Sequence, residues 1–356
     1  MAENKYYDGT KLLSMSDLDK NKPEIYMVTT NRTGGKTTYF GRMFVKKFIE
    51  TGEKFALLYR FNYEIDAVAD KFFKDIGGLF FRGYSMSSER RASGIFHELF
   101  LHRPNQDEDD IGDSCGYAIS INSADQIKKY SHLFSDVQRI LFDEFQSETN
   151  HYCSDEIRKF LSIHTSIARG QGQQTRYVPV YMLSNPVSII NPYYVELGIS
   201  ERLQGSTKFL KGHGWVLENG YVDSASEAMK LSGFNKAFEH TKYMGYAMES
   251  TYLNDNKAFI EKPEGDSKYL ATIQYEGKEY AIREYYTSGV IYCDDHDDST
   301  YKFKIAVTTD DHQINYVMLK RNDLFVQSMR YYFERGCFRF KNLQCKEAVM
   351  KLVSYH

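Results

Sequence analysis

No stretch of this chain approaches the about 18 consecutive apolar residues that a membrane-spanning helix requires. Its first residues, MAENKYYDGTKLL, carry neither the basic region nor the apolar run of a signal peptide. The expectation is a protein that stays in the cytoplasm where it is made. Cysteine is scarce. The five residues Cys115, Cys153, Cys293, Cys337 and Cys345 are odd in number and scattered, with no CxxC pair. That argues against a disulfide framework or a zinc site and for free thiols in a reducing compartment. Net charge is small as well, -3 from 45 Lys and Arg against 48 Asp and Glu. A uniformly basic nucleic-acid coat is thereby excluded, and local patches are left as the electrostatic footprint. No Ser or Cys nucleophile constellation stands out. His296 lies among Asp294, Asp295, Asp297 and Asp298, but ligands that follow residue by residue round a turn do not converge on a metal, so a solvated acidic loop is expected there.

With 356 residues the chain exceeds what one core usually organises, which points to two domains. Apolar runs at IYMVTT (25 to 30), FALLYR (55 to 60), RILFDEF (139 to 145) and YVPVYMLSN (177 to 185) read as strands, with helical patterns such as SDEIRKFLSIHTSIARG between them. Buried strands alternating with helices imply an α/β fold with a mostly parallel sheet covered on both faces. Beyond residue 205 the texture changes. A linker is expected over 206–235, separating a nucleotide-binding α/β domain over 1–205 from a smaller α+β domain over 236–356. In the latter, KAFIEK, KYLATIQY, KEYAIREYY, GVIYCDD and KFKIAVTT read as a meander of strands, closed by helices near 321–335 and 344–354. The segment 104–114, containing DEDDIGD, reads as an exposed acidic loop. From Lys320 onward eight cations (Lys320, Arg321, Arg330, Arg335, Arg339, Lys341, Lys346, Lys351) face three acids (Asp323, Glu334, Glu347). Such a tail is either solvated surface or a face that meets phosphate or a partner.

The sharpest chemical signal is TNRTGGKT, Thr30 to Thr37, between a strand and a helix. A polyphosphate needs backbone N–H groups that close approach exposes only where side chains are absent. It also needs a helix N-terminus, a lysine for the β/γ-phosphates and a hydroxyl for Mg²⁺. Thr33, Gly34, Gly35, Lys36, Thr37 and Thr38 are the candidate ATP contacts. Thr30 stands where the usual pattern has glycine. About a hundred residues on, RILFDEF delivers Asp143 and Glu144 to a strand's carboxyl end, where ligands bind in open α/β sheets. Asp143 with Thr37 is placed to serve the Mg²⁺ and Glu144 to polarise the attacking water. Asn185, at the tip of the fourth strand, either senses the γ-phosphate or starts a turn before Pro186. Arg169, after a helix end, is either an arginine finger acting in a neighbour's site or a cation that complements the helix dipole. Lys128 and Lys129 either meet nucleotide or DNA phosphate, or are solvated surface lysines.

These residues together resemble the genome-packaging ATPases of small podoviruses of the salasvirus type, within the additional-strand, catalytic-glutamate P-loop class. The similarity runs through NRTGGKT, FALLYRF, ILFDEF, the S-I-A-R helix end and LSNPVSIINPYY (183 to 194). It continues in FIEK (259 to 262), DSK (266 to 268), TTDD (308 to 311) and GCFRFKN (336 to 342). The resemblance implies a homopentameric ring at the portal vertex of a procapsid in the infected host, coupling ATP hydrolysis to translocation of double-stranded DNA. It further implies nucleotide contacts at Lys36 and Thr37, a metal-serving Asp143, a catalytic Glu144 and a coupling role for Asn185. A finger in trans falls on Arg169, and a trans-acting lysine falls loosely on Lys129. The second domain is implied to be a degenerate RNase H-like fold, and no carboxylate cluster there supports nuclease activity. Two other readings stay open: a nucleotide-gated structural component of the vertex, for which a second carboxylate beside Asp143 is superfluous, and a terminase-like ATPase that also cuts DNA.

Overall fold

The computed structural model describes residues 6–104, 110–149, 151–170, 172–200, 202–203, 207–241, 243–244, 247, 259–320 and 322–354. The chain divides into two compact units, Met1–Asn254 and Asp255–His356. Nine strands of the first unit are β1 (Ile25–Thr29), β2 (Lys54–Tyr59), β3 (Ser85–Arg91), β4 (Phe96–His102), β5 (Asp113–Ser120), β6 (Val137–Asp143), β7 (Val180–Ser184), β8 (Phe209–Lys211) and β9 (Trp215–Asn219). They form one sheet in the order β3-β4-β5-β2-β6-β7-β1-β9-β8. The run from β5 to β9 is parallel throughout, and β3, β4 and β8 join antiparallel at the margins.

Alternation along each inner strand explains this arrangement. Tyr26, Val28, Phe55, Leu57, Leu141, Tyr181 and Leu183 pack on one face with Phe40 and Phe44 of the helix Lys36–Thr51. Met27, Ala56, Leu58, Ile140, Phe142, Val180 and Met182 pack on the other with Phe160 and Ile163 of the helix Glu156–Ile167. Strands apolar on both sides are stable only when helices cover both faces, as in a parallel α/β sheet. The marginal strands were not expected from the pattern. In β3, SMSSERR, no side chain is fully buried, so its place is fixed by pairing with β4 rather than by burial. The acidic segment joins β4 to β5. Its residues 105–109 lie outside the described residues, and Asp113 at the start of β5 pairs with Arg103 at 2.8 Å.

The expected linker over 206–235 is not a linker. Residues 209–211 and 215–219 are β8 and β9, with Trp215, Val216 and Leu217 buried in the sheet. The helices Asp223–Leu231 and Gly233–Ala237 follow. The glycines there serve a tight hairpin: a Cβ on Gly212 would fall 2.0 Å from the Trp215 ring. The division lies at Asn254/Asp255 instead.

In the second unit β10 (Ser267–Tyr275), β11 (Lys278–Tyr285) and β12 (Val290–Asp294) form an antiparallel meander. The short strands β13 (Lys304–Ala306) and β14 (Phe338–Phe340) flank it in parallel, in the order β13-β10-β11-β12-β14. Ile273, Ile282 and Cys293 pack against Val326 and Met329 of the helix Leu324–Glu334 and Ala348, Val349 and Leu352 of the helix Leu343–Ser354. Of the expected strand KAFIEK, Lys257 and Ala258 lie outside the described residues, and among the rest Ile260 makes an isolated bridge to Phe340. The TTDD stretch is a clamp on the β10–β11 turn. Buried Asp311 accepts the N–H groups of Glu276 (3.1 Å) and Gly277 (2.8 Å) and the Thr308 hydroxyl (2.6 Å). No helix among the described residues is long and apolar enough to cross a membrane.

Candidate phosphate-binding site

β1 delivers the loop 30–35 to the N-terminus of the helix Lys36–Thr51, at the carboxyl edge of the sheet. Thr30 is tolerated at the loop's first position because the left-handed backbone occurs later, at Thr33 (φ 59°) and Gly35 (φ 93°). Buried Thr30 donates its N–H to the Ser184 carbonyl at 3.3 Å. Gly34 has no space for a side chain, since a Cβ there would lie 2.9 Å from Val222 Cγ2. Asn31, also buried, accepts the Val222 N–H (2.9 Å) and donates to its carbonyl (3.1 Å), which pins the loop to the segment after β9. The loop is therefore preformed. It presents the helix's unpaired first-turn N–H groups, the arrangement that anions favour.

Lys36 is buried, and its Nζ donates to Asn185 Oδ1 at 2.7 Å. Burial pulls its ammonium down to about 8 against the opposing pull of Asp143 and Glu144. Thr37 lines the same cleft as Asp143 and favours the ionised form of its carboxyl, and Thr38 lies half-buried in the same turn. Asp143 ends β6, next to β7 with Ser184 and Asn185, which in turn is next to β1. Thus the strand order brings Lys36, Thr37, Asp143, Glu144 and Asn185 to one place. Burial raises the Asp143 carboxyl despite Lys36 and Thr37, and burial followed by Asp143 and Glu148 raises that of Glu144. Two carboxyls with too little positive charge about them, beside a hydroxyl, form the oxygen-only donor set that suits a hard divalent cation. Beside them opens a cleft of about 250 Å³ lined by Arg32, Arg60, Glu64, Glu144, Glu148 and Asn185, among others, with Arg32 ion-paired to Glu148.

Sequence reasoning missed the frame around Glu144. Glu144 has a left-handed backbone (φ 57°), which costs a non-glycine residue about 1 kcal/mol and persists only where neighbours enforce it. The enforcing residue is Arg60, at the end of β2. It donates to the carbonyls of Glu144 (3.4 Å) and Phe145 (2.7 Å) and forms a buried ion pair with Glu156 at 3.0 Å. Glu156 also accepts the Tyr193 hydroxyl at 2.9 Å and the Cys153 N–H at 2.7 Å. Gln146 Oε1 accepts the N–H groups of Val187 (3.1 Å) and Ser188 (3.0 Å). Asn191 caps the helix Pro192–Glu196 through the Tyr194 N–H at 3.0 Å, and the Tyr194 hydroxyl meets Thr29 at 2.6 Å. The stretch LSNPVSIINPYY is specific because it ties β1, β6 and the Arg60 network together. Its polar residues could have signalled this, but their partners lie far away in sequence.

Arg169, Lys128 and Lys129 are not brought to this site. Arg176 donates its N–H to the Ala168 carbonyl at 2.8 Å and its Nη1 to the Val137 carbonyl at 3.1 Å, so Arg169 lies at the amino end of β6. That is roughly 20 Å from Asp143, a strand's length away. Arg169, Lys128 and Lys129 are exposed, and Lys128 pairs with Asp125 at 3.4 Å.

Known proteins resemble this chain over nearly its whole length. The profile of the family described as "Podovirus DNA encapsidation protein (Gp16)" matches residues 1–355. The DNA packaging protein of Bacillus phage phi29 is 25% identical over 347 residues, which cover 96% of this chain and 95% of the relative. That of Bacillus phage B103 is 27% identical over 326 residues, covering 90% and 92%. Among solved structures, the bacteriophage Phi-29 viral genome packaging motor assembly contains a chain of similar fold, with a TM-score of 0.67, 22% identity and coverage of 98% of this chain and 100% of that one. The Phi-28 gp11 DNA packaging motor gives a TM-score of 0.58 at 16% identity, with 99% of each chain covered.

Proposed function

This chain belongs to the family of podovirus DNA encapsidation proteins, and from that membership we propose that it is the ATP-driven motor that moves double-stranded DNA into a viral procapsid. The observation that carries the hydrolytic half is buried Lys36, held at the carboxyl ends of neighbouring parallel strands with Asp143, Glu144 and Asn185 about it. In this reading the loop N–H groups and Lys36 hold the β- and γ-phosphates. Glu144 orients the attacking water, and Asn185 exchanges its bond to Lys36 for one to the γ-phosphate. Thr37 and Asp143 hold Mg²⁺, which when bound neutralises charge on the phosphate oxygens. A second carboxyl, Glu144, set beside Asp143 on a backbone that Arg60 holds, favours hydrolysis over a purely structural nucleotide switch, which has no need of it.

Arg169 cannot reach its own site, so its role as a finger requires a neighbouring copy. We propose the homopentameric ring that the sequence resemblance implies, seated at the portal vertex in the host cytoplasm. In support, Lys128 and Lys129 share a flank with Arg169: the turn Lys128–Phe134 packs on the helix Glu156–Ile167, and a Cβ on Gly170 would lie 3.0 Å from Ser135 Cβ. We further propose that the second unit has no nuclease activity. Among its described residues the one group able to converge on a metal is Asp294, Asp295 and His296, which come together although consecutive residues round a turn were not expected to, and Asp295 is ion-paired to Lys341.

The test is ATP turnover measured with and without double-stranded DNA. Stimulation by DNA in the unaltered chain and loss of turnover with retained ATP binding in Glu144→Gln are expected. Equal turnover with and without DNA counts against coupling. Mixing Arg169→Ala with Glu144→Gln subunits is expected to restore activity at mixed interfaces, and no recovery at any ratio leaves Arg169 without a role in trans.

A further inference from the structure

The residues assigned above meet the nucleotide's phosphates and metal, and none of them is assigned to its base. In the order β6-β7-β1-β9, Asp143 lies to one side of β1 and β9 to the other. A polyphosphate whose terminal group faces Asp143 and Glu144 therefore directs its nucleoside end toward the β9 side of the loop. The segment docked there is the start of the chain. Tyr7 donates its N–H to the Gly34 carbonyl at 2.8 Å and its hydroxyl to Glu218 of β9 at 2.7 Å, and its ring packs edge-on against Tyr39 at 5.5 Å. Tyr7 and Leu12 are buried, and Asp8 caps the turn that follows through the Thr10 N–H at 3.0 Å. This strap is fixed by both polar and apolar contacts, and it carries Tyr6 with it.

The Tyr6 ring lies beside the loop's last glycine. A Cβ on Gly35 would be 3.6 Å from Tyr6 Cβ and 3.7 Å from its Cδ1. Yet Tyr6 is 64% exposed, a large aromatic surface held at the mouth of a phosphate site and turned toward solvent. Single exposed aromatics are ordinary, but one anchored by its neighbour to the phosphate loop is placed where a ribose and base must emerge. We propose that Tyr6 is the stacking platform for the base of the bound nucleotide. The proposal rests on the nucleotide reading of the Lys36 site. Stacking reads the face of a base rather than its edges, so purines should be held better than pyrimidines with little choice between ATP and GTP.

The test is calorimetric binding of Mg·ATP, Mg·UTP and Mg·tripolyphosphate to the full-length chain and to Tyr6→Ala and Tyr6→Phe. The expected result for Tyr6→Ala is ATP binding weakened roughly 5- to 150-fold, the range of a lost aromatic stack. Tripolyphosphate binding should stay within about twofold, UTP should lose less than ATP, and Tyr6→Phe should behave as the unaltered chain. Equal losses for ATP and tripolyphosphate in Tyr6→Ala would overturn the proposal, because Tyr6 would then act through the loop's shape. An unchanged ATP affinity would overturn it too. If the unaltered chain binds neither ligand, the phosphate-site reading fails and the platform with it, whereas tripolyphosphate binding without Tyr6 dependence of ATP removes the platform alone.

Discussion

β6 and β12 both end in acidic residues, Asp143 followed by Glu144 in the first unit and Asp294 followed by Asp295 in the second. In the second pair each carboxylate has its own cation. Arg283 bonds Asp294 at 3.2 Å, and Asp295 takes Lys341 and His296. Burial tends to raise the Asp295 carboxyl, but the bonds from Lys341 and His296 outweigh it and hold it below the usual range. In the first pair burial wins, and both carboxyls are raised although Lys36 is near. The same residue pattern thus ends in opposite electrostatic conditions. A carboxylate pair already neutralised by its own fold has little to offer an incoming cation, whereas an under-neutralised pair beside a phosphate loop does.

The largest expected difference between the two pairs is in turnover. Glu144→Gln should lower ATP hydrolysis on the order of 10² to 10⁴-fold while ATP still binds, as expected for loss of a group that handles the proton of the attacking water. Asp295→Asn should leave turnover within about twofold. A comparable loss in both would erase the distinction. Next in size, Lys36→Ala should weaken Mg·ATP binding roughly 30- to 100-fold, through loss of a charge-assisted contact of about 2 to 3 kcal/mol. Lys341→Ala should not weaken it, and calorimetry would check both.

Stability should respond with opposite signs. Asp143→Asn is expected to stabilise the nucleotide-free chain by about 1 kcal/mol, because it removes a half-buried charge that is under-compensated until ligand arrives. Asp295→Asn is expected to destabilise by about 0.5 kcal/mol, discounted for the partial exposure of its ion pair. For Asp295 the folded carboxyl lies below its unfolded value near 4, so this stability is present above about pH 4 and is lost as pH falls through the folded value. Urea titrations between about pH 2 and 5 should show that acid loss in the unaltered chain and not in Asp295→Asn. The smallest expected effect concerns DNA. Neutralising Lys128 and Lys129 should flatten the slope of log affinity against log salt by up to about 1.8, with no change in sequence preference. If instead turnover without DNA collapses, one of these lysines serves a neighbour's nucleotide site. The basic C-terminal segment offers less to DNA than its composition suggests. Arg330 donates to the Val353 carbonyl at 2.7 Å, Arg339 pairs with Glu261 and Lys341 with Asp295.

Much of the candidate site was legible because it follows local rules. A glycine-rich loop between a buried strand and a helix, and an apolar strand ending in two acids, are patterns whose spacing carries their chemistry. β3 and the β8–β9 hairpin were not legible, since polar or short strands are fixed by partners rather than by periodicity. The hold on the loop was hidden for the same reason: Val222 against Gly34 and Ser184 against Thr30 are brought in from elsewhere in the chain.

The sequence by itself determined the parallel α/β core, the glycine-rich loop with Lys36 and Thr37, and the acidic pair at a strand's carboxyl end, because periodicity, loop chemistry and charge act over a few neighbouring residues. Only the tertiary structure decided that Asn185 meets Lys36, that Arg60 and Glu156 hold Glu144 in its strained backbone, and that Asp295 is spent on Lys341. It also set Arg169 a strand's length from the site of its own chain. Those outcomes depend on which strand ends become neighbours and on how deeply each charge is buried, and both arise when the sheet assembles across long separations in sequence.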